Sequence, residues 1–406
     1  MSRQAEPQPK FATLRAIPAG VWTLGLVSLL MDLSSEMIHA LLPLYLVTVL
    51  GTSTLTVGII EGIAEATASM TRIFSGALSD RFGKRKVLAA LGYGLAALTK
   101  PLFPLAPNAG WIVAARFVDR FGKGIRGAPR DALIADLSPP DVRGASFGLR
   151  QSLDTVGAIG GPLFAILFMW LAADDFITVF WIAVIPALLS FALIAFAVRE
   201  PDRPANLREV RAPLSIAELE NLGAAYWGIV AVAAMFTLAR FSEAFLVLRA
   251  QSLGLSLALV PAVMVVMNVI YALSAYPAGV LSDRFDRHKV LLFGFAILLA
   301  ADLTLALVPG VLGLALGAAL WGLHMGFTQG LLAALVADAA PAELRGTAFG
   351  MFHLITGVAM LAASIIAGAL WDAVGPTGTF LAGAGFTALA LTGLTALRRI
   401  VPVRPH

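Results

Sequence analysis

The segment Gly-Ala-Leu-Ser-Asp-Arg-Phe-Gly-Lys-Arg-Lys at 76–86 returns as Gly-Val-Leu-Ser-Asp-Arg-Phe-Asp-Arg-His-Lys at 279–289, 203 positions later in a chain of 406 residues. Each copy is a short basic cluster between two long apolar stretches. A second correspondence has nearly the same offset: Ala135-Asp136, Arg143-Gly144 and Phe147-Gly148 recur as Ala337-Asp338, Arg345-Gly346 and Phe349-Gly350. Two matches at one offset imply a structural duplication, with both copies on the same side of whatever the apolar stretches cross.

Those stretches also decide the solvent. With 59% hydrophobic and 13% charged residues and a mean hydropathy of +0.85, the chain lies outside the range of soluble domains. The runs suit helices of about 20 residues or more, the length a bilayer requires, and lack the alternation of barrel strands. The pattern predicts helices over 17–49, 54–79, 87–106, 110–137, 142–172, 175–198, 220–250, 256–281, 289–309, 310–336, 343–371 and 376–398. Between the sixth and seventh, residues 199–219 hold Pro201, Pro204 and Pro213, with seven charges in 199–211. This linker separates an N-terminal bundle (17–198) from a C-terminal bundle (220–399). The expected fold is an all-α membrane protein of 12 transmembrane helices in two pseudo-symmetric six-helix bundles. The first apolar run far exceeds the roughly 7–15 residues of a signal-peptide core, so it is read as an uncleaved first helix.

Loops after the even-numbered helices collect Arg81, Lys84, Arg85, Lys86, Arg143, Arg199, Arg284 and Arg345, whereas the opposite loops carry almost no Lys or Arg, Arg249 excepted. Both termini are therefore expected in the cytoplasm. The pI near 9.6 reflects this topology rather than nucleic-acid binding. The chain has no cysteine, which excludes disulfides and thiolate chemistry. No phosphate-binding loop of the Gly-x-x-x-x-Gly-Lys-Ser/Thr type is present, so no built-in ATPase and no cofactor are expected. The five histidines show no nucleophile–base arrangement, which argues against an enzyme.

Ionisable groups inside apolar helices mark function, because each costs about 3 kcal/mol or more at mid-bilayer unless it faces a cavity or a partner. On the first helix Asp32, Glu36 and His39 share an arc of roughly 60°. The second helix carries Glu61, Glu65 and Arg72 on one face, and the fifth carries Arg150 and Asp154 one turn apart. The fourth places Arg116, Asp119, Arg120, Lys123, Arg126 and Arg130 within roughly 120°, a stripe that cannot face lipid. The C-terminal half is sparer, with Arg240, Glu243, Asn268, Asp302, His324, Gln329 and His353. We assign proton coupling to Asp32, Glu36 and His39. Substrate binding is assigned to Arg116, Glu61, Glu65, Arg120, Asp154, Arg240, Glu243 and Asn268, with Asp32, Glu36 and Arg116 lining a cavity.

At the repeated loop the chain resembles the major facilitator superfamily, whose signature there is Gly-x-x-x-Asp-Arg-x-Gly-Arg/Lys-Arg/Lys. Gly76, Asp80, Arg81, Gly83, Lys84 and Arg85 match it; in the second copy Gly279, Asp283 and Arg284 match, while Asp286 replaces the second glycine and loosens that half of the gate. Asp32-Leu-Ser-Ser-Glu36-Met and Gly122-Lys-Gly-Ile-Arg126-Gly-Ala-Pro-Arg130-Asp131 resemble an uncharacterised prokaryotic branch near the multidrug/proton antiporters. Gly157-Ala-Ile-Gly160-Gly161-Pro162 is similar to the helix-5 Gly-Pro motif of superfamily antiporters. The resemblance implies the two-bundle fold, alternating access, and gating at Gly76, Asp80, Arg81, Gly83, Arg85, Asp283, Arg284, Gly157, Gly161 and Pro162.

The combined expectation is a proton-coupled secondary active transporter that exports an organic solute, anionic, zwitterionic or drug-like. Its partners would be that small molecule, protons and the lipid bilayer, with no nucleic acid, and the chain would act as a monomer in a bacterial or archaeal cytoplasmic membrane. Two alternatives remain open at this point. The carboxylates of the first two helices with His39 could export a divalent metal ion, unless Arg116 or Arg120 sits among them. A non-transporting membrane sensor or scaffold is the other, though no sizeable soluble domain offers an output.

Overall fold

The computed structural model describes residues 16–82, 84–140, 142–200, 219, 222–341 and 344–400, without the side chains at 76–82, 283–284, 330, 333–334, 337–338, 345–346 and 397–400. Among these the chain is helical throughout. The N-terminal half comprises α1 (Ala19–Leu44), α2 (Thr54–Phe82), α3 (Arg85–Thr99), α4 (Ala109–Leu137), α5 (Arg143–Leu171) and α6 (Phe176–Ala192). The C-terminal half comprises α7a (Ala224–Ala239), α7b (Ala244–Ser252), α8 (Ala262–Arg284), α9 (Arg287–Leu307) and α10 (Gly310–Ala339). A continuous run Arg345–Ile400 follows, broken at Gly375 into α11 (345–374) and α12 (376–400). With α7a and α7b counted as one interrupted span, the described residues form six spans per half, as the duplication requires. Residues 201–218 of the expected linker lie outside the described residues.

Local chemistry sets the ends. Gly51 (φ 61°) and Gly375 (φ 77°) take the left-handed conformation that reverses the chain between α1 and α2 and between α11 and α12. Asn108 caps α4 by accepting the Trp111 N–H (3.1 Å), and Asp175 caps α6 by accepting the Ile177 N–H (3.0 Å). The Thr178 hydroxyl also donates to Asp175 (2.5 Å), which holds that carboxyl below the usual carboxylate range. Asp286, the departure from the repeated signature, caps α9 by accepting the His288 N–H (2.9 Å).

Two spans differ from the sequence pattern. The third ends at Thr99 rather than 106, because Pro101 has no N–H to continue the ladder; a 3-10 turn, Lys100–Leu102, follows and leaves Lys100 buried. The seventh is not continuous over 220–250. It leaves helical geometry at Arg240–Glu243, where the Ser242 hydroxyl accepts the Ala244 N–H (3.2 Å) in place of a backbone carbonyl.

Among the described residues, eight helical stretches are long and apolar enough to cross a membrane by length and composition, one of them running through both α11 and α12. The three spans outside that set are α2, α3 and α4. α3 has only 15 residues, while α2 and α4 carry the charges of the next section. Such charges are tolerated only where other helices cover them.

Within the N-terminal half α5 lies directly on α1. A Cβ on Gly157 would stand 2.8 Å from the Leu29 carbonyl oxygen, and one on Gly161 2.5 Å from the Glu36 Cβ. Only glycine permits this approach. The halves meet through α2 on α11 and α5 on α8, pairs that the duplication makes equivalent. In the first, Gly58 abuts the Ser364 carbonyl, and a Cβ on Gly368 would stand 2.6 Å from the Thr54 carbonyl oxygen. Asp372 of α11 seals the start of α2, accepting the Thr54 N–H (3.1 Å), the Leu55 N–H (3.0 Å) and the Thr54 hydroxyl. That closed end is called the far end below, and the end where α1 begins the near end.

Candidate functional site

The stripe on α4 points into the N-terminal bundle, and its six charged residues meet α1, α2, α3 and α5 in two layers. In the far layer Arg116 Nη2 bonds both Glu61 oxygens (2.8 and 2.7 Å). His39 stands between two carboxylates, its Nε2 3.4 Å from Glu61 and its Nδ1 3.4 Å from Glu36. Lys100 Nζ donates to Asp119 (2.8 Å) and to the Ser35 hydroxyl (3.0 Å). Arg120 lies 3.6 Å from Glu65 and 3.9 Å from Asp119. Glu61 is 0% exposed, Arg116 1% and Asp119 2%, so the Arg116–Glu61 and Lys100–Asp119 pairs are shielded from both water and lipid, whereas Glu65 is half-buried.

The near layer is looser and wetter. Arg126 Nη2 reaches Asp32 (3.6 Å), with its guanidinium 4.8 Å above the Tyr93 ring. Arg130 donates to the Ser28 hydroxyl (3.0 Å) and to Asp131 (3.0 Å), and Arg150 to Asp154 (2.5 Å). Around this layer lies a cavity of about 370 Å³ between the halves. Its N-terminal wall includes Asp32, Glu36, Arg72, Lys123, Arg126 and Asp154; its C-terminal wall is Asn268, Tyr271 and Gln329. A second cavity of about 410 Å³ shares Tyr271 and Gln329 and continues along α8 and α10 towards the near end. Deeper in, a third of about 150 Å³ joins Glu36, His39, Glu65 and Lys123 to the α7 break at Arg240 and Glu243. Irregular backbone at membrane depth is admissible there, because it borders a cavity rather than lipid.

The structure thus gathers most of the expected residues, in different settings. Asp32, Glu36 and Asp154 line the large cavity, and His39, Glu65, Arg120, Arg240 and Glu243 the deep one. Arg116 and Glu61 line neither; they form a closed pair behind His39. Asn268 borders the cavity and donates its amide to the Ala158 carbonyl (3.0 Å), which ties α8 to α5 across the halves. Gly157, Gly161 and the buried Pro162 pack α5 against α1 inside one half. Arg85 binds Asp136 (2.7 Å) and the Ala132 carbonyl (3.0 Å) on α4, while its own N–H meets Glu200 (2.7 Å). Gly76, Asp80, Arg81, Gly83, Asp283 and Arg284 lie outside the described residues or side chains.

Sequence reasoning missed Lys100, hidden at the end of a span between Thr99 and Pro101, and Tyr93 beneath Arg126. The divalent-metal alternative loses its basis. Arg116 occupies both Glu61 oxygens, Arg120 borders the deep cavity, and cations so placed repel a metal ion.

Comparison with known proteins agrees with this geometry. The Major Facilitator Superfamily profile matches residues 24–248 and 229–406. An uncharacterised MFS-type transporter of Methanocaldococcus jannaschii is 33% identical over 377 residues, covering 91% of this chain and 92% of that one. The class C tetracycline resistance protein of Escherichia coli is 28% identical over 355 residues, covering 80% and 82%. A bacterial homologue of the human lysosomal transporter Spinster, in its inward-facing and unoccupied conformation, superposes with a TM-score of 0.73 at 16% identity, covering 94% of this chain and 96% of that one. A duplicated helical chain with charged cavities between its halves, matched over its whole length in this way, belongs to the Major Facilitator Superfamily and is a membrane transporter, not an enzyme.

Proposed function

We propose that the chain is a proton-coupled secondary active transporter that exports an organic solute by alternating access, acting as a monomer in a prokaryotic cytoplasmic membrane with both termini in the cytoplasm. The observation that carries this reading is the asymmetry of the seam between the halves. Its far end is closed by α2 on α11 and by Asp372 over the start of α2, whereas its near half holds the open, charged cavity. Exchanging which end is closed would move a bound solute across. The bias of Lys and Arg towards near-end loops puts the present opening at the cytoplasm, where an exporter loads.

The proton sites in this reading are Asp32, Glu36 and His39. Glu36 borders both the large and the deep cavity and neighbours His39, which neighbours the buried Glu61. This row leads from water into the bundle. Asp32 borders the large cavity beside Arg126 (3.6 Å); a solute donor bonded to its ionised carboxylate would exclude a proton from it, and a proton there would release the solute. Proton and solute would then compete for one set of charges, which is the requirement for exchange. Gly157 and Gly161 keep α5 rigid on α1, so Asp32 and Glu36 move with the N-terminal half as a body. The tetracycline resistance named for the Escherichia coli relative is in keeping with outward movement.

Everted vesicles with an imposed proton gradient test the reading. Adding members of a panel of tetracyclines, cationic dyes and organic acids should release protons for at least one compound. Asp32→Asn combined with Glu36→Gln should abolish the release while the protein still purifies as a folded monomer. No release by any compound, or release unchanged in the double variant, would contradict it.

A further inference from the structure

We infer that the large cavity is built for an organic anion, with a carboxylate or phosphate held by Lys123 of α4 and Arg72 of α2 and the rest of the solute bonded by the uncharged wall of the other half. The inference rests on the transport reading above and narrows it to a substrate class.

Most charges around the cavity already have partners. Asp32 is held by Arg126 (3.6 Å), Asp154 by Arg150 (2.5 Å), and Glu36 lies beside His39 (3.4 Å). Arg130 is committed to Asp131 and Ser28. Lys123 and Arg72 line the same cavity, yet neither closes an ion pair with any described residue, although Asp32, Glu36 and Glu65 lie within electrostatic reach of Lys123. A cationic solute would have to displace Arg126, Arg150 or His39 from its carboxylate, a loss that a single new contact does not repay. An anion displaces nothing. It meets two cations with open donor positions in a place where water is confined, where charge-assisted bonds are strongest.

The opposite wall completes the site. Tyr271 donates its hydroxyl to the Gln329 Oε1 (3.1 Å), and the Gln329 amide nitrogen has no acceptor among the described residues. The C-terminal wall of this cavity therefore offers hydrogen-bond donors and no charge, and the N-terminal wall the cations. Beside them Asn268 joins the halves through the Ala158 carbonyl. A solute that engages Lys123 and Gln329 together spans the seam, so its binding would favour the state in which the near end closes over it. The volume of about 370 Å³ suits a molecule of drug size rather than an inorganic ion.

The test is thermal stabilisation of the purified full chain in detergent by matched series on common skeletons. These are naphthalene, biphenyl and indole carboxylates and phosphonates, the corresponding primary amines, and long-chain alkyl phosphates. Acids should raise the melting temperature where the amines do not. Lys123→Gln should weaken the best acid about tenfold, the loss expected for one charge-assisted contact, with Lys123→Arg restoring most of it and Arg72→Gln acting in the same direction. Stabilisation by alkyl phosphates alone supports the anion and assigns it to a lipid headgroup. Stabilisation by amines overturns the class while leaving the transport reading intact. If neither series binds, the anion site is refuted, and distance measurements on the same samples then show whether the halves move and the transport reading survives without it.

Discussion

At the depth where the N-terminal half buries Arg116, Arg120, Lys100 and Asp119, each in at least one ion pair, the C-terminal half buries rings. Phe236 stacks on Phe295 at 3.9 Å, and Phe241, at the α7 break, contacts Trp321 and Phe380, each at 5.5 Å. Its Asp302 and His324 are fully buried and form no ion pair with any described residue. The difference teaches how one duplicated fold divides labour. Paired charges hold α1, α2, α3 and α4 in one fixed arrangement, since moving any of them strands a charge in a dry interior. Rings impose no such pairing, and the half that contains them can carry a broken span. The N-terminal half is thus the rigid wall that presents charge, and the C-terminal half the adaptable one that closes against it.

The largest expected effect tests the rigid wall. Arg116→Ala should destabilise the chain by about 3–5 kcal/mol, because the buried Glu61 then loses its bidentate partner and keeps only His39 at 3.4 Å. Removing both charges with Glu61→Gln should recover a large part of that loss, as read by thermal unfolding in detergent. If the double variant is no better than Arg116→Ala, the pair is not the element that fixes this wall. Phe241→Leu in the other half should cost less, about 1–2 kcal/mol, through lost ring packing.

The seam comes next. Asp372→Ala removes the acceptor for two backbone N–H groups and the Thr54 hydroxyl at the far end and should weaken that closure by about 1–2 kcal/mol. A cysteine placed near residue 53 should then react faster with a membrane-impermeant reagent added from outside; an unchanged rate would show that the closure does not depend on Asp372. The smallest effect is expected at Asp302. Asp302→Asn keeps the shape and breaks no ion pair with a described residue, so stability should change by less than about 1 kcal/mol. A large loss there would mean that the C-terminal half also depends on buried charge.

Much of this was legible in the sequence, for reasons that mark the limit of such reading. Apolar run lengths and the 203-residue offset gave the twelve spans, because lipid constrains length and composition directly. Periodicity placed Asp32, Glu36 and His39 on one face and aimed the α4 stripe inward. It could not choose partners. Which carboxylate Arg116 takes depends on how α2 sits against α4, which is a property of packing, so a residue expected to line the cavity proved to be sealed behind it. Lys100 looked like the edge of a span until Pro101 turned the chain and buried it beside Asp119. The α7 break has only Arg240, Ser242 and Glu243 as its signal, and polar residues in an apolar run do not by themselves reveal that the helix opens there.

The account stands on two halves that exchange which end of their seam is closed. Because the chain has no cysteine, spin labels can be placed at Val49 and Val374 for the far end and at Ser152 and Tyr276 for the near end, with distances measured by pulsed electron resonance in lipid nanodiscs. On introducing Asp372→Ala, the account predicts that the far-end distance lengthens while the near-end distance shortens. Distances at both ends that stay fixed, or that lengthen together, would contradict it.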